Sequence, residues 1–162
     1  MKPVIVGEAP SPSAINPVQP LFPFPPRSAG GRLWQMTGLN RADYMRGFHR
    51  MNLYPMQYPA PEQLRWAAWN LISSRLLDGR AVVLLGYRVW LAFGGREDVE
   101  PLIWYAGSVP AFKPACVVLV PDPMFKSPSV AVQWYDDERQ AGAAANFMRL
   151  LAEGDYPDWS ED

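Results

Sequence analysis

The chain has 162 residues, is 49% hydrophobic and contains seven each of Trp, Tyr and Phe, which is typical of one folded domain with its own core. No apolar run approaches the ~20 residues that span a bilayer, and the N-terminus lacks the features of a signal peptide, so we expect a cytoplasmic protein with no membrane partner. Cys116 is the single cysteine, which excludes an intramolecular disulfide and a cysteine-based cluster or zinc site, so we expect no cofactor and no metal.

The charges are unevenly distributed along the chain although the net charge is only −1. Residues 1–60 contain six Lys or Arg and two acids, whereas the remainder contains nine basic and fourteen acidic residues. Phosphate binding needs a local basic face more than a basic total, so the first part of the chain is the candidate for DNA contact. A solvated arginine face fits the same pattern.

The first element along the chain is a short apolar run at residues 4–6, which predicts a β-strand that stops at Gly7. Glu8 follows at once. Ligands of α/β proteins bind outside the carboxyl ends of the strands, so Glu8 is a candidate for chemistry. An ordinary turn is the alternative, because Gly and Pro punctuate any chain. Residues 7–27 are too rich in proline to form a helix or a central strand.

The rest of the chain alternates between helical and strand patterns. Helices are predicted at 31–38, after Asn40, at 62–77, at 87–93 and from 136 onward, and strands at 48–53, 81–85, 104–105 and 116–120. This alternation predicts an α/β fold: a three-layer α/β/α sandwich around a central, mostly parallel sheet of about four strands. We expect one domain over residues 1–153 and a frayed acidic tail over 154–162.

Several short motifs occur in an informative order. They are Gly-Glu-Ala-Pro at 7–10, Phe-Pro-Phe-Pro at 22–25, a small-residue turn at 28–33, Asn52 after a strand, and Val-Pro-Asp-Pro at 120–123. This order resembles the uracil-DNA glycosylase superfamily, especially the branch that often carries an iron–sulfur cluster, although the cluster cysteines are missing. The resemblance covers most of the chain. It implies a protein that binds single-stranded or damaged duplex DNA and hydrolyses the N-glycosidic bond of uracil or an altered base. The sequence leaves the oligomeric state open, and a monomer is favoured.

The resemblance also implies roles for individual side chains. Glu8 would orient the attacking water. Phe24, with Phe22 as the other candidate, would stack on the flipped base. Asn52 would read a pyrimidine edge, because a carboxamide offers both a donor and an acceptor. Loop packing of the two phenylalanines and a turn-forming role for the asparagine are the alternatives.

The sequence departs from the family at Asp122, which stands where the family has the histidine of a His-Pro-Ser motif. An ionised carboxylate facing a developing anion would raise the barrier, whereas a protonated one could donate a hydrogen bond. We therefore expect weak or absent uracil excision. The predicted contacts to DNA phosphate, of which the last three are also alternative donors, are Arg27, Arg32, Arg46, Arg50, Lys126, Ser127 and Ser129.

Two further interpretations remain open. The fold can serve as a binding module that holds DNA or a modified nucleotide without cutting it, or as a different enzyme in which Glu8 and Asp122 act on another base. His49, the only histidine, lies three residues before Asn52, which in a strand places the two on opposite faces, and we interpret it as structural.

Overall fold

The computed structural model describes residues 1–10, 19–123 and 134–160, and these form an α/β sandwich. The strands are β1 (Val4–Gly7), β2 (His49–Asn52), β3 (Ala81–Leu85), β4 (Trp104–Tyr105) and β5 (Cys116–Val120). Within the described ranges they make one five-stranded sheet in the order β2-β1-β3-β5-β4. All neighbours are parallel except β4, which pairs antiparallel with β5 at the edge. The predicted fold class is confirmed.

Helices cover both faces of this sheet. They are α1 (Ala29–Thr37), α2 (Arg41–Gly47), α3 (Pro61–Ser73), α4 (Tyr87–Ala92) and α5 (Glu138–Ala152), with a 3₁₀ turn at Trp134–Asp136. Three of these helices have side-chain N-caps at Ser28, Asn40 and Asp137, each accepting a hydrogen bond from a backbone N–H of the first turn.

The core consists of two apolar layers, one on each face of the sheet. Alternate strand residues such as Val6 and Leu84 pack with α3 and α4. The intervening residues, such as Ile5 and Val83, pack with α1, α2 and α5. Because β1, β3 and β5 are buried on both faces, their sequences are continuous apolar runs rather than alternating ones.

Two predicted details are wrong. Helix α3 ends at Ser73 rather than at residue 77, because Arg75 adopts a positive φ of 64° that turns the chain. Leu76 is consequently 41% exposed, while Leu77 reaches the core. The described part of the tail is attached to the domain rather than frayed, because the backbone N–H of Trp159 donates to the Ala115 carbonyl at 2.8 Å.

The described helices are all too short or too polar to span a membrane.

Candidate functional site

A cavity of about 430 Å³ opens at the carboxyl edge of the sheet. Glu8 follows β1, Gly86 follows β3 and Asp122 follows β5, and all three line this cavity. The parallel order β1-β3-β5 brings these three strand ends side by side. Aromatic side chains supply much of the remaining wall, namely those of Tyr87, Trp134 and Tyr135.

Glu8 is held in place by its neighbours. Its carboxylate Oε1 lies 3.5 Å from Nε of Arg88, in the first turn of α4. Its backbone carbonyl accepts a hydrogen bond from the Tyr54 N–H at 2.9 Å. The Glu8 side chain is 27% exposed, so the ion pair is in contact with water and orients the carboxylate more than it stabilises the fold.

Gly86 allows the loop after β5 to approach the end of β3. Its φ of 99° and ψ of 151° lie in a region that essentially only glycine adopts. A Cβ added there would lie 3.4 Å from Cβ of Asp122. A side chain at this position would therefore both strain the backbone and press on the residue that lines the cavity.

The loop carrying Asp122 is anchored on two sides. The Tyr135 hydroxyl donates to the Pro121 carbonyl at 2.6 Å, and Nη1 of Arg32 donates to the Pro123 carbonyl at 2.8 Å. Burial, and secondarily the negative charge of Asp122, raise the pKa of Tyr135. Tyr135 therefore remains a neutral donor, and these bonds fix the backbone on either side of the carboxylate.

The three predicted base-binding residues do not line this cavity. Asn52 pairs with Gly7 across β1 and β2, and a Cβ added at Gly7 would lie 3.1 Å from Oδ1 of Asn52. Asn52 is thus adjacent to the residue before Glu8, although it lines a separate groove beside α3. Phe24 is 43% exposed with the Arg41 guanidinium 5.6 Å from its ring centroid, and Phe22 is partly buried.

The loop that carries the two phenylalanines packs tightly on the first turn of α1. A Cβ at Gly30 would lie 2.2 Å from the Phe22 carbonyl oxygen, and one at Gly31 would lie 2.3 Å from that of Pro25. Only glycine permits this approach. The small-residue turn predicted from the sequence therefore positions the loop, which explains its place directly after the Phe-Pro motif.

The arginines predicted to bind phosphate have different surroundings. Arg27 is exposed, and Arg46 pairs with Asp43 at 2.5 Å. Arg50 is half-buried: Nη1 donates to the Pro20 carbonyl at 3.1 Å, and burial lowers its pKa. Because this hydrogen bond holds the proline-rich loop, it argues against a contact between Arg50 and DNA phosphate. Arg32 is likewise engaged with the Asp122 loop. Lys126, Ser127 and Ser129 lie outside the described residues.

His49 lies at the opposite edge of the sheet from this cavity. Its Nδ1 is 3.3 Å from Nη1 of Arg80, and its pKa is lowered chiefly by burial and then by Arg80, Lys2 and Arg50. This position agrees with a structural role. The described residues contain no group of three or more His, Cys, Asp or Glu that could hold a metal ion.

Sequence reasoning missed Arg88 and Tyr135. Arg88 comes two residues after Gly86, at the carboxyl end of the strand predicted at 81–85. The rule that makes Glu8 a candidate, a position just after a strand, therefore also indicates Arg88. Tyr135 belongs to the aromatic stretch just before the last predicted helix, which is part of the resemblance, but its bond to the Pro121 carbonyl is a tertiary contact that the sequence does not indicate.

Comparison of the sequence with models of known protein families finds no match, and comparison with curated proteins finds no significant match. The likeness to uracil-DNA glycosylases therefore depends on the ordered motifs alone.

Proposed function

We propose that this chain is a uracil-DNA glycosylase-like protein that recognises a base in DNA and hydrolyses its N-glycosidic bond slowly. The observation that carries the proposal is that Glu8 and Asp122, predicted from separate motifs, line one cavity at the carboxyl edge of a parallel sheet. That edge is where α/β proteins bind ligands. DNA as the partner, a monomeric state and a cytoplasmic location belong to the same proposal.

In this mechanism Glu8 accepts a hydrogen bond from a water and directs its oxygen at the sugar carbon C1′. The water oxygen bonds to C1′ and its proton passes to Glu8, while the bond between C1′ and the base nitrogen breaks and its electron pair leaves with the base. The Glu8 carboxylate also favours the positive charge that develops on the sugar, and Arg88 keeps it oriented. Aromatic walls at Tyr87 and Trp134 offer stacking surfaces for a flipped base, whereas the predicted stacking residues Phe22 and Phe24 do not line the cavity.

A second candidate function is a binding module that does not cut DNA. Two observations favour it. Glu8 is already engaged by Arg88, and the lining after β5 contains Asp122, where the resemblance implies a hydrogen-bond donor. Both features should reduce the affinity for DNA little and the rate of hydrolysis strongly, because only interactions that strengthen in the transition state accelerate the reaction.

The test is incubation with oligonucleotides that contain uracil or one of a panel of altered bases, followed by cleavage at abasic sites. We expect slow release of at least one base, and we expect Glu8→Gln to abolish it. Glu153→Gln is the matched control, because Glu153 also pairs with an arginine, at 3.3 Å from Arg149, but follows α5 away from the cavity. DNA binding without release of any base would favour the binding module, and neither binding nor release would contradict the proposal.

A further inference from the structure

An arginine lies over two aromatic rings where the proline-rich loop meets α1 and the start of α2. The Cζ atom of Arg41 is 5.6 Å from the Phe24 ring centroid and 5.1 Å from the Trp34 ring centroid. Phe24 is 43% exposed, Arg41 is also exposed, and Trp34 is half-buried. These three residues form the arginine–aromatic surface, which is separate from the carboxyl-edge cavity because none of the three lines that cavity.

The fold positions this surface in advance of any ligand. The indole Nε1 of Trp34 donates to the Leu39 carbonyl at 2.7 Å. The loop that carries Phe24 is bonded to α1, because Nε2 of Gln35 donates to the Pro26 carbonyl at 3.0 Å. Groups that are already ordered lose less conformational entropy when a ligand binds, so this surface suits binding without rearrangement.

The charge around the arginine–aromatic surface favours an anionic partner. Residues 9–42 contain three arginines and no acid. The acids that flank this stretch, Glu8 and Asp43, pair with other arginines. Arg41 itself pairs with no acid in the part of the chain that the structure describes. Its contacts with the two rings use the charge of the guanidinium and leave its N–H donors available for a phosphate.

Resting on the proposed function, which makes DNA the partner, we infer that the arginine–aromatic surface binds single-stranded DNA beside the nucleotide whose base enters the cavity. Arg41 donates to a backbone phosphate, and the exposed ring of Phe24 stacks on an adjacent base. Unpaired bases offer their faces to aromatic rings, whatever their sequence. The loop starts close to the cavity, because a Cβ added at Gly7, the residue before Glu8, would lie 3.6 Å from Cδ2 of Leu21.

The test is fluorescence anisotropy of a labelled single-stranded oligothymidine at several salt concentrations. This probe contains no altered base, so it measures binding of the strand separately from excision. Arg41→Ala should reduce the slope of log affinity against log salt by about 0.7, the value for one phosphate contact to a single strand. Arg41→Lys should restore the slope, because it retains the charge. Phe24→Ala should weaken binding roughly 5- to 150-fold with the slope unchanged, because stacking releases no counterions.

Arg65→Ala and Trp69→Ala are the matched controls for the charge and for the aromatic ring. Both residues are exposed on α3, which packs on the other face of the sheet from α1 and α2. Neither control should change the affinity or the salt slope. Unfolding midpoints of all variants verify that the fold is intact.

Each outcome decides between the inference and the proposed function. An unchanged slope in Arg41→Ala, an unchanged affinity in Phe24→Ala, or equal losses in the controls would overturn the inference and leave the proposed function intact. Both expected losses without release of any base would support the arginine–aromatic surface and contradict the proposed hydrolysis. Failure of the parent to bind any oligonucleotide would overturn both. A changed oligomeric state of the variants with unaltered DNA affinity would assign the surface to contacts between copies and overturn the inference.

Discussion

The two edges of the sheet carry similar charged groups and use them differently. At the amino edge, Arg80 donates to the Lys2 carbonyl at 3.1 Å and lies 3.3 Å from the His49 ring. At the carboxyl edge, Arg88 pairs with Glu8, and both line a cavity together with Asp122. At the amino edge Arg80 connects the starts of neighbouring strands. At the carboxyl edge Arg88 orients the Glu8 carboxylate beside the cavity.

Residue type alone does not locate the site. The only histidine of the chain, the residue type most often used for acid–base chemistry near neutral pH, lies at the amino edge. The carboxyl edge holds acids, an arginine and aromatic rings instead. The topology selects the edge, because β1, β3 and β5 are parallel neighbours whose carboxyl ends lie side by side at the cavity.

The largest effect is expected from Asp122→His, which supplies the donor at the carboxyl edge. One such donor is typically worth about 10²–10³ in rate, so the variant should gain uracil excision up to that factor over the parent. Asp78→His, at the amino edge, should gain nothing. Cleavage of a uracil oligonucleotide measures both, and efficient cleavage by the parent would contradict our interpretation of Asp122.

Next come alanine substitutions at the two glycines that flank β3. Gly86→Ala forces a side chain into a backbone region almost restricted to glycine and should cost about 3 kcal/mol of unfolding free energy. Gly79→Ala, at a φ of 69° near the flexible end of Met1, should cost about 1 kcal/mol.

Denaturant titration gives the free energies for both glycine variants. Gly142→Ala in α5 has open space and should stabilise by about 0.5–1 kcal/mol, which serves as the control for an added methyl group. Equal losses at residues 79 and 86 would contradict the proposed difference between the edges.

A smaller effect is expected from the pH dependence of stability at the amino edge. Burial and neighbouring cations lower the His49 pKa from 6.5 in the folded protein, so the unfolded chain binds the proton more readily. The stability contributed above pH 6.5 should therefore fall as the pH drops from 6.5 toward the folded pKa. His49→Gln should flatten the unfolding free energy in that window and leave base release unchanged. An unaltered pH profile would contradict this assignment.

The smallest effect concerns the salt dependence of DNA binding. Arg27→Ala should reduce the slope of log affinity against log salt by about one unit, because one phosphate contact is lost. Arg50→Ala should mainly lower the unfolding midpoint, because its guanidinium lies 5.5 Å from the Tyr44 ring centroid and supports the loop. A slope unchanged in Arg27→Ala would remove that residue from the DNA interface.

Much of the fold is predictable from local patterns. The bounds of β3 and β5 match the prediction, because each is a continuous apolar run with clear stops. Asn40 caps α2 as its side-chain chemistry indicates. The sequence predicts α3 to run to residue 77, because Leu76 and Leu77 continue the helical spacing of apolar residues. The helix ends at Ser73 instead, because the chain turns at Arg75.

The candidate site is predictable only in part. The convergence of Glu8 and Asp122 follows from parallel strands, whose carboxyl ends meet at one edge. The ion pair with Arg88 depends on how α4 is rotated, and the placement of Phe22 and Phe24 depends on the path of a proline-rich loop. Asn52 lies outside the cavity because β2 is the edge strand beside β1, away from β3 and β5. The sequence predicts a phosphate contact for Arg50 as for the exposed arginines. Its burial arises from tertiary contacts that its sequence neighbours do not indicate.

The most direct measurement of the central claim is a map of backbone amide chemical shifts as DNA is added. The protein is titrated in turn with single-stranded oligonucleotides that carry one uracil or one of a panel of altered bases. We expect shifts concentrated at Gly7, Glu8, Gly86 and Asp122, with His49 and Arg80 unaffected. Shifts concentrated at the amino edge, or none at either edge under saturating oligonucleotide, would contradict the assignment of the carboxyl-edge cavity as the base-binding site.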